Sequence, residues 1–265
     1  MKGVDVSKHQ GRIDWKKVAD SGVEFVIIRA GYGKNNVDKY FIENIVGAHT
    51  AGLKVGVYWF IYALNEQDAL ENAKKFHQTI EPYRDAITMR VWADYEGDSD
   101  KYSRNEGVVQ NNSTRTRMVK TFLNYLKAKG WDVGNYANPD YIESKFEDLS
   151  EYPLWLAWYG ASPEKAKAYN PVIFQYSSKG TVPGIIGPCD MNISFEESKE
   201  DVEPEYYPIP EFTLTDHLKK IGVDSSFNNR KKIALKNNIG NPYTGTKEQN
   251  EEMLEILISG KLIKP

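Results

Sequence analysis

Along the first two thirds of the chain, short runs of β-branched and aromatic residues alternate with segments whose apolar residues recur every three or four positions. The runs are GVDVS (3–7), FVIIRAG (25–31), KVGVYWFI (54–61), MRVWADYE (89–96) and WDVGNYAN (131–138). Their length and composition predict strands. Several are apolar at consecutive positions rather than alternate ones, which is the pattern of strands covered on both faces in a parallel sheet. Helical spacing falls between them at 38–51, 66–80 and 114–129, the last followed by Gly130 as a stop.

A strand, helix, strand rhythm predicts right-handed crossover units and a parallel sheet, closed as a barrel or open and doubly wound. The segment GYGKNN (31–36) does not have the glycine spacing of a phosphate-binding turn and no Walker motif is present, so the barrel is favoured. After residue 150 three strand candidates follow with only short connections: LWLAWY (154–159), VIFQYS (172–177) and CDMNIS (189–194). The expected fold is therefore α/β, an irregular (β/α)8-type barrel with the last three strands lacking full helices, plus a small all-α C-terminal module.

Residues 196–211 carry seven acidic residues, one lysine and three prolines. Such a stretch repels itself and cannot sustain a strand ladder, so it predicts an extended linker. The expected division is a barrel at 1–197, an acidic, proline-containing linker at 198–211 and a helical module at 212–265. Three helices fit the last part, at 213–221, 225–238 and 246–259, each followed by glycine (Gly222, Gly240 and Gly260). Asp224 or Ser225 can cap the second and Thr246 the third.

Composition narrows the function. The net charge of −3 over 265 residues offers no general attraction to nucleic acid or anionic membranes. It is unevenly spread: 9 Lys or Arg against 6 Asp or Glu give residues 212–265 about +3, while 25 against 31 give residues 1–211 about −6. Cys189 is the sole cysteine, so neither an internal disulfide nor a cysteine-rich zinc site is available. The first residues lack a secretory apolar stretch, and no apolar run reaches the roughly 18 residues of a membrane helix. His9, His49, His77 and His217 fall in different elements without metal-ligand spacing and are expected as surface or capping residues. No metal and no cofactor is expected.

Candidate chemistry begins at VWADYEGDSD (91–100). If the strand runs through Glu96, then Asp94 and Glu96 face one side, about 7 Å apart along it, above Trp92. In a barrel that side is the interior, and the strand's carboxyl end opens where barrel enzymes keep their active sites. Asp5 interrupts the first strand and Asp190 the last, and these two strands are neighbours in a closed barrel. One D-x-E at a strand end is equally a solvated loop, but lone aspartates inside strands are costly unless paired. Four carboxylates from three strands would make one acidic pocket, in which a protonated acid beside a carboxylate is suited to cleaving a glycosidic bond.

The segments VDVSKHQGRIDW (4–15), RAGYG (29–33), VGVYWF (55–60), ADYEG (93–97), NYAN (135–138), WLAWYG (155–160) and FQYSSKGTVPGIIGPCDMN (174–192) together resemble glycoside hydrolase family 25, the lysozymes of the N,O-diacetylmuramidase type. The resemblance covers about residues 1–197. It implies an irregular barrel that cleaves the β-1,4 bond between N-acetylmuramic acid and N-acetylglucosamine in peptidoglycan. It implies that Glu96 is the catalytic acid, with Asp94, Asp5 and Asp190 as the other pocket carboxylates. Retaining, inverting and substrate-assisted routes stay open, as do two other functions: a catalytically idle glycan-binding barrel, and a hydrolase of another N-acetylated glycan. The sequence departs from the family pattern at FQY, often W-Q-Y, and at Cys189, often aliphatic.

Further pocket candidates are Tyr32, Tyr62, Tyr136, Trp158 and Gln175, for stacking on sugars or bonding to them, and Arg29, for a substrate carboxylate or a pocket acid. The C-terminal module resembles short helical segments at the ends of endolysins from Gram-positive hosts, which implies attachment to the wall. Arg230, Lys231, Lys232 and Lys236 would give its second helix a basic side for anionic wall polymers. On this reading the chain is made in a host cytoplasm without a signal peptide and reaches peptidoglycan through a membrane pore made by another protein.

Overall fold

The computed structural model describes residues 1–196, 214–240 and 242–265, apart from the side chains of 217, 220 and 258. Contacts divide the chain into two units, Met1–Glu197 and Ser198–Pro265. The linker expected at 198–211 lies outside the described residues.

The first unit is a barrel. Its strands are β1 (Lys2–Val6), β2 (Phe25–Tyr32), β3 (Asn36–Val37), β4 (Lys54–Phe60), β5 (Val91–Asp94), β6 (Val133–Ala137), β7 (Leu154–Ala157), β8 (Ile173–Gly180) and β9 (Cys189–Ser194). They are ordered β1-β9-β8-β7-β6-β5-β4-β2-β3, and a further β1–β2 pairing closes eight of them into a ring, with β3 appended to β2. All pairings in the ring are parallel except those of β9, which runs antiparallel to both β8 and β1. An antiparallel partner needs only a short return, which is why no long crossover helix precedes β9.

Helices α1 (Trp15–Asp20), α2 (Phe41–Thr50), α3 (Glu66–Ile80), α4 (Gly97–Asn105) and α5 (Asn112–Ala128) follow the earlier strands. Only a turn at Tyr141–Lys145 separates β6 from β7, and a four-residue α6 (Pro163–Ala166) precedes β8. Outward strand residues such as Val26, Ile28, Val55, Val57 and Val91 are buried against helix residues such as Phe41, Phe76 and Phe122. Inward residues Phe25, Ile27, Trp92, Tyr136, Trp155 and Ile173 fill the barrel. Both faces are therefore apolar, as the consecutive apolar runs required. Glycine makes room for the interior rings: a Cβ at Gly134 would stand 2.2 Å from Cζ3 of Trp92.

The structure corrects the expected elements at one important place. β5 ends at Asp94, and the segment expected as a polar loop is helix α4, with Glu96 at its N-cap in an extended conformation. The buried face of α4 is Ser99, Asp100 and Ser103, so a search for apolar periodicity finds nothing there. α1 escaped for a related reason, since it buries only Trp15 and Val18.

The second unit packs α7 (Leu214–Lys220), α8 (Phe227–Lys236) and α9 (Lys247–Ile258) around Leu218, Ile233, Met253, Leu257 and Leu262. Thr246 caps α9, its hydroxyl accepting from the Gln249 N–H. The cap of α8 is Ser226 rather than Asp224 or Ser225. Asp224 instead accepts from the Ser226 N–H and hydroxyl. Arg230 does not share a basic side with the lysines: its Nε donates to the Tyr243 hydroxyl at 3.2 Å and its Nη1 to the Ser225 carbonyl. Lys231, Lys232 and Lys236 are exposed.

Candidate active site

A cleft of about 410 Å³ opens at the carboxyl ends of the parallel strands. Its lining includes Asp5 from β1, Arg29 from β2, Tyr58 and Phe60 from β4, Asp94 from β5, Tyr136 from β6 and Glu96 just beyond β5. Because β9 runs the other way, its first residues lie at this same end, and Asp190 joins the group. Asp5 and Asp190 are directly opposite in the antiparallel ladder, a separation at which like charges repel strongly. A proton shared between the two carboxyls would offset this.

Burial, and then the charge of Asp190, pushes the Asp5 carboxyl up to about 8, against the pull of hydrogen bonds from Asn192 and Gln175. Asp94 is raised well above the ordinary carboxylate range, first by burial and then by Glu96 and Asp5, with Arg29 opposing. Glu96 is pushed up to about 7 by burial, then by Asp98 and Asp190. Burial also raises Asp190, against its bond with Asp5. Four carboxyls thus share a site too dry to ionise all of them.

The orientation of Asp5 is fixed by two amides. Trp155 Nε1 can only donate, and it donates to Asn192 Oδ1 at 2.8 Å, so Asn192 turns its Nδ2 to Asp5 Oδ2, also at 2.8 Å. The hydroxyls of Tyr136 and Tyr159 both donate to Gln175 Oε1, at 3.0 and 2.9 Å, and Gln175 Nε2 donates to the same Asp5 oxygen at 2.7 Å. With two N–H groups aimed at Oδ2, a proton on Asp5 belongs on Oδ1. Asp94 Oδ1, by contrast, is buried without a hydrogen-bond partner among the described residues.

The sequence profile of the glycosyl hydrolases of family 25 matches residues 4–185. The chain belongs to glycosyl hydrolase family 25. It is 33% identical over 193 residues to the autolytic lysozyme of Clostridium acetobutylicum, covering 72% of this chain and 55% of that one. The modular autolysin LytC from Streptococcus pneumoniae, solved with a synthetic peptidoglycan ligand, superposes with a TM-score of 0.64 at 28% identity over 72% of this chain and 46% of that one. The CTP1L endolysin superposes with a TM-score of 0.60 at 26% identity, covering 73% and 66% of the two chains. The chain spans about half the length of the clostridial lysozyme and of LytC.

Within this family-25 barrel, Asp5, Asp94, Glu96, Asp190, Arg29, Tyr136 and Gln175 all line the cleft. Glu96 gets there from a helix cap, not from the strand face expected. Gln175 is buried and spent on Asp5 and two tyrosines. Arg29 pairs with none of the cleft acids: its Nε donates to Asp38 Oδ2 at 2.8 Å. Trp158 faces outward, edge-on to Tyr169, while Tyr159 lines the cleft. Alternation along β7 carries that signal, since Trp155, Ala157 and Tyr159 share a parity. Tyr32 and Tyr62 lie edge to face with ring centres 5.9 Å apart, outside the cleft lining. His9, expected as an ordinary surface or capping residue, stands in the lining, as do Tyr58 and Trp155. Cys189 is a buried thiol against Met191, pushed up to about 11 first by burial and then by Asp190.

Proposed function

We propose that this chain is a muramidase that hydrolyses the β-1,4 bond between N-acetylmuramic acid and N-acetylglucosamine in peptidoglycan, as a phage-type endolysin of Gram-positive walls. The observation that carries this reading is Glu96. Its carboxyl sits at the cleft mouth and holds a proton close to neutrality, as a general acid requires. Glu96 would give its proton to the glycosidic oxygen as the bond to the anomeric carbon breaks, leaving N-acetylglucosamine with a free hydroxyl. In a substrate-assisted course the acetamido oxygen of the muramic residue attacks the anomeric carbon, and water then opens the resulting ring with Glu96 taking back a proton. The free Oδ1 of Asp94 is suited to accept the acetamido N–H, and Asp190, more open to the cleft than Asp5, to face the developing positive charge.

The endolysin assignment rests on likeness to the CTP1L endolysin and on the C-terminal unit, whose lysines would hold anionic wall polymers. Tethering of this kind raises the local concentration of glycan bonds at the barrel. In that setting the protein would be made in the host cytoplasm and reach the wall through a pore made by another protein.

Digestion of purified Gram-positive walls by the wild type and Glu96→Gln, with new reducing ends identified by reduction and mass spectrometry, tests the reading. Muramic acid ends from the wild type alone are expected. Glucosamine ends would move the cleaved bond, and no new ends from either protein would leave a binding barrel.

A further inference from the structure

Behind Glu96 lies a buried ion pair that the proposed reaction does not use. Asp100, one turn into α4, is 5% exposed, and its carboxylate accepts from three side chains. Tyr95 Oη donates to Oδ1 at 3.0 Å, Tyr141 Oη to Oδ2 at 2.7 Å, and Arg115 Nε to both oxygens at 2.9 and 3.0 Å. Tyr95 precedes Glu96, Arg115 comes from α5, and Tyr141 opens the turn between β6 and β7; all three are buried. Burial pushes the Asp100 carboxyl up, but the bonds from Arg115, Tyr141 and Tyr95 reverse this and hold it below the ordinary range.

A buried ion pair is weak evidence for stability, because apolar residues of similar volume often do as well. What it supplies is geometry, and here the geometry brackets the acid. The Tyr95–Asp100 bond joins residues on either side of Glu96, closing a loop over it. Inside that loop the Glu96 carbonyl accepts from the Ser99 and Asp100 N–H groups, and the Glu96 N–H donates to Ser99 Oγ. The last turn of α4 is tied on the same face: Ser103 Oγ donates to the Ala63 carbonyl at 3.1 Å. The polar underside of α4 is thus built to fix the start of the helix against two other elements, and the start of the helix is where Glu96 stands.

We infer that Asp100 is a positioning residue for Glu96, setting the acid's place over the cleft by anchoring the first turn of α4 to α5 and to the turn at Tyr141–Lys145. This rests on Glu96 being the general acid. Displacing a catalytic group by about 1 Å can lower a rate about 100-fold, so the effect belongs in kcat.

The test is steady-state kinetics on a soluble peptidoglycan fragment, with Asp100→Asn and Tyr141→Phe each made in the Glu96 and Glu96→Gln backgrounds, and folding followed by thermal melting. With Glu96 present, Asp100→Asn should lower kcat about 10- to 100-fold and the milder Tyr141→Phe about 3- to 10-fold, with KM within about twofold. In the Glu96→Gln background neither should lower the residual rate further, because a group that acts only through Glu96 has nothing left to act on. An unchanged kcat per folded molecule, with only the melting point lowered, would make the cluster structural and overturn the inference. An equal fall in both backgrounds would overturn it too. Should Asp100→Asn not fold, Tyr141→Phe decides alone, since it removes one hydroxyl and leaves the Arg115 pair. A Glu96→Gln protein with the wild-type rate would instead mark failure of the acid assignment.

Discussion

Glu96 and Asp5 carry predictions of opposite kinds. If Glu96 is the general acid proposed above, it must keep its proton, so kcat should fall as pH rises through about 7, which a pH–rate profile on soluble fragments would register. Glu96→Gln should lose roughly 10²- to 10⁴-fold in kcat with folding intact. Asp5 affects stability. Its pKa rises from the ordinary 3.8 to about 8 on folding, so the folded state binds more protons than the unfolded one between those values, and stability declines as pH rises across that window. Asn at this position reproduces the protonated form: its oxygen accepts from Asn192 and Gln175, and its amide donates to Asp190. Asp5→Asn should therefore melt higher than the wild type at pH 8, with the gain shrinking towards pH 4, while activity is lost. Equal melting points at pH 8 would mean that Asp5 is not strained by burial.

The elements of the barrel combine large rings with glycines. Gly134 on β6 faces Trp92 on β5, and Trp92 shares its strand face with Asp94. Gly134→Ala would force the indole aside, and overpacking of this sort destabilises by about 1–3 kcal/mol. Since the displaced ring stands next to Asp94 on the same strand face, the predicted signature is a loss of kcat larger than the fall in melting temperature alone explains, measured at a temperature where the variant is fully folded. A variant with normal kcat would show that the barrel floor yields without moving the carboxylate.

At the scale of the whole molecule charge is unevenly spread, with the basic excess in residues 212–265. If Lys231, Lys232 and Lys236 hold anionic wall polymers, replacing all three by Glu should reduce co-sedimentation with purified walls. Raising salt should do the same to the wild type, because exposed charges are screened within about 10 Å at 0.1 M. Hydrolysis of soluble fragments should stay unchanged. Undiminished wall binding by the triple variant would assign attachment to another surface.

The sequence by itself determined the barrel, the convergence of Asp5, Asp94, Glu96 and Asp190 on one cleft, and the three helices of the C-terminal unit. Each of these rests on a signal local to the chain: consecutive apolar positions, an acid inside an apolar strand, a capping residue followed by helical spacing. The tertiary structure alone decided the rest. Helix α4 was hidden because its buried face is polar, with Asp100 satisfied by Tyr95 just before the helix and by Arg115 and Tyr141 from elsewhere in the chain. Arg29 found Asp38 instead of a cleft acid, and Gln175 turned from a sugar contact into a brace for Asp5. Hydrogen bonds between distant residues have no period in the sequence, so a polar side chain reveals that it needs a partner but not which partner the fold supplies.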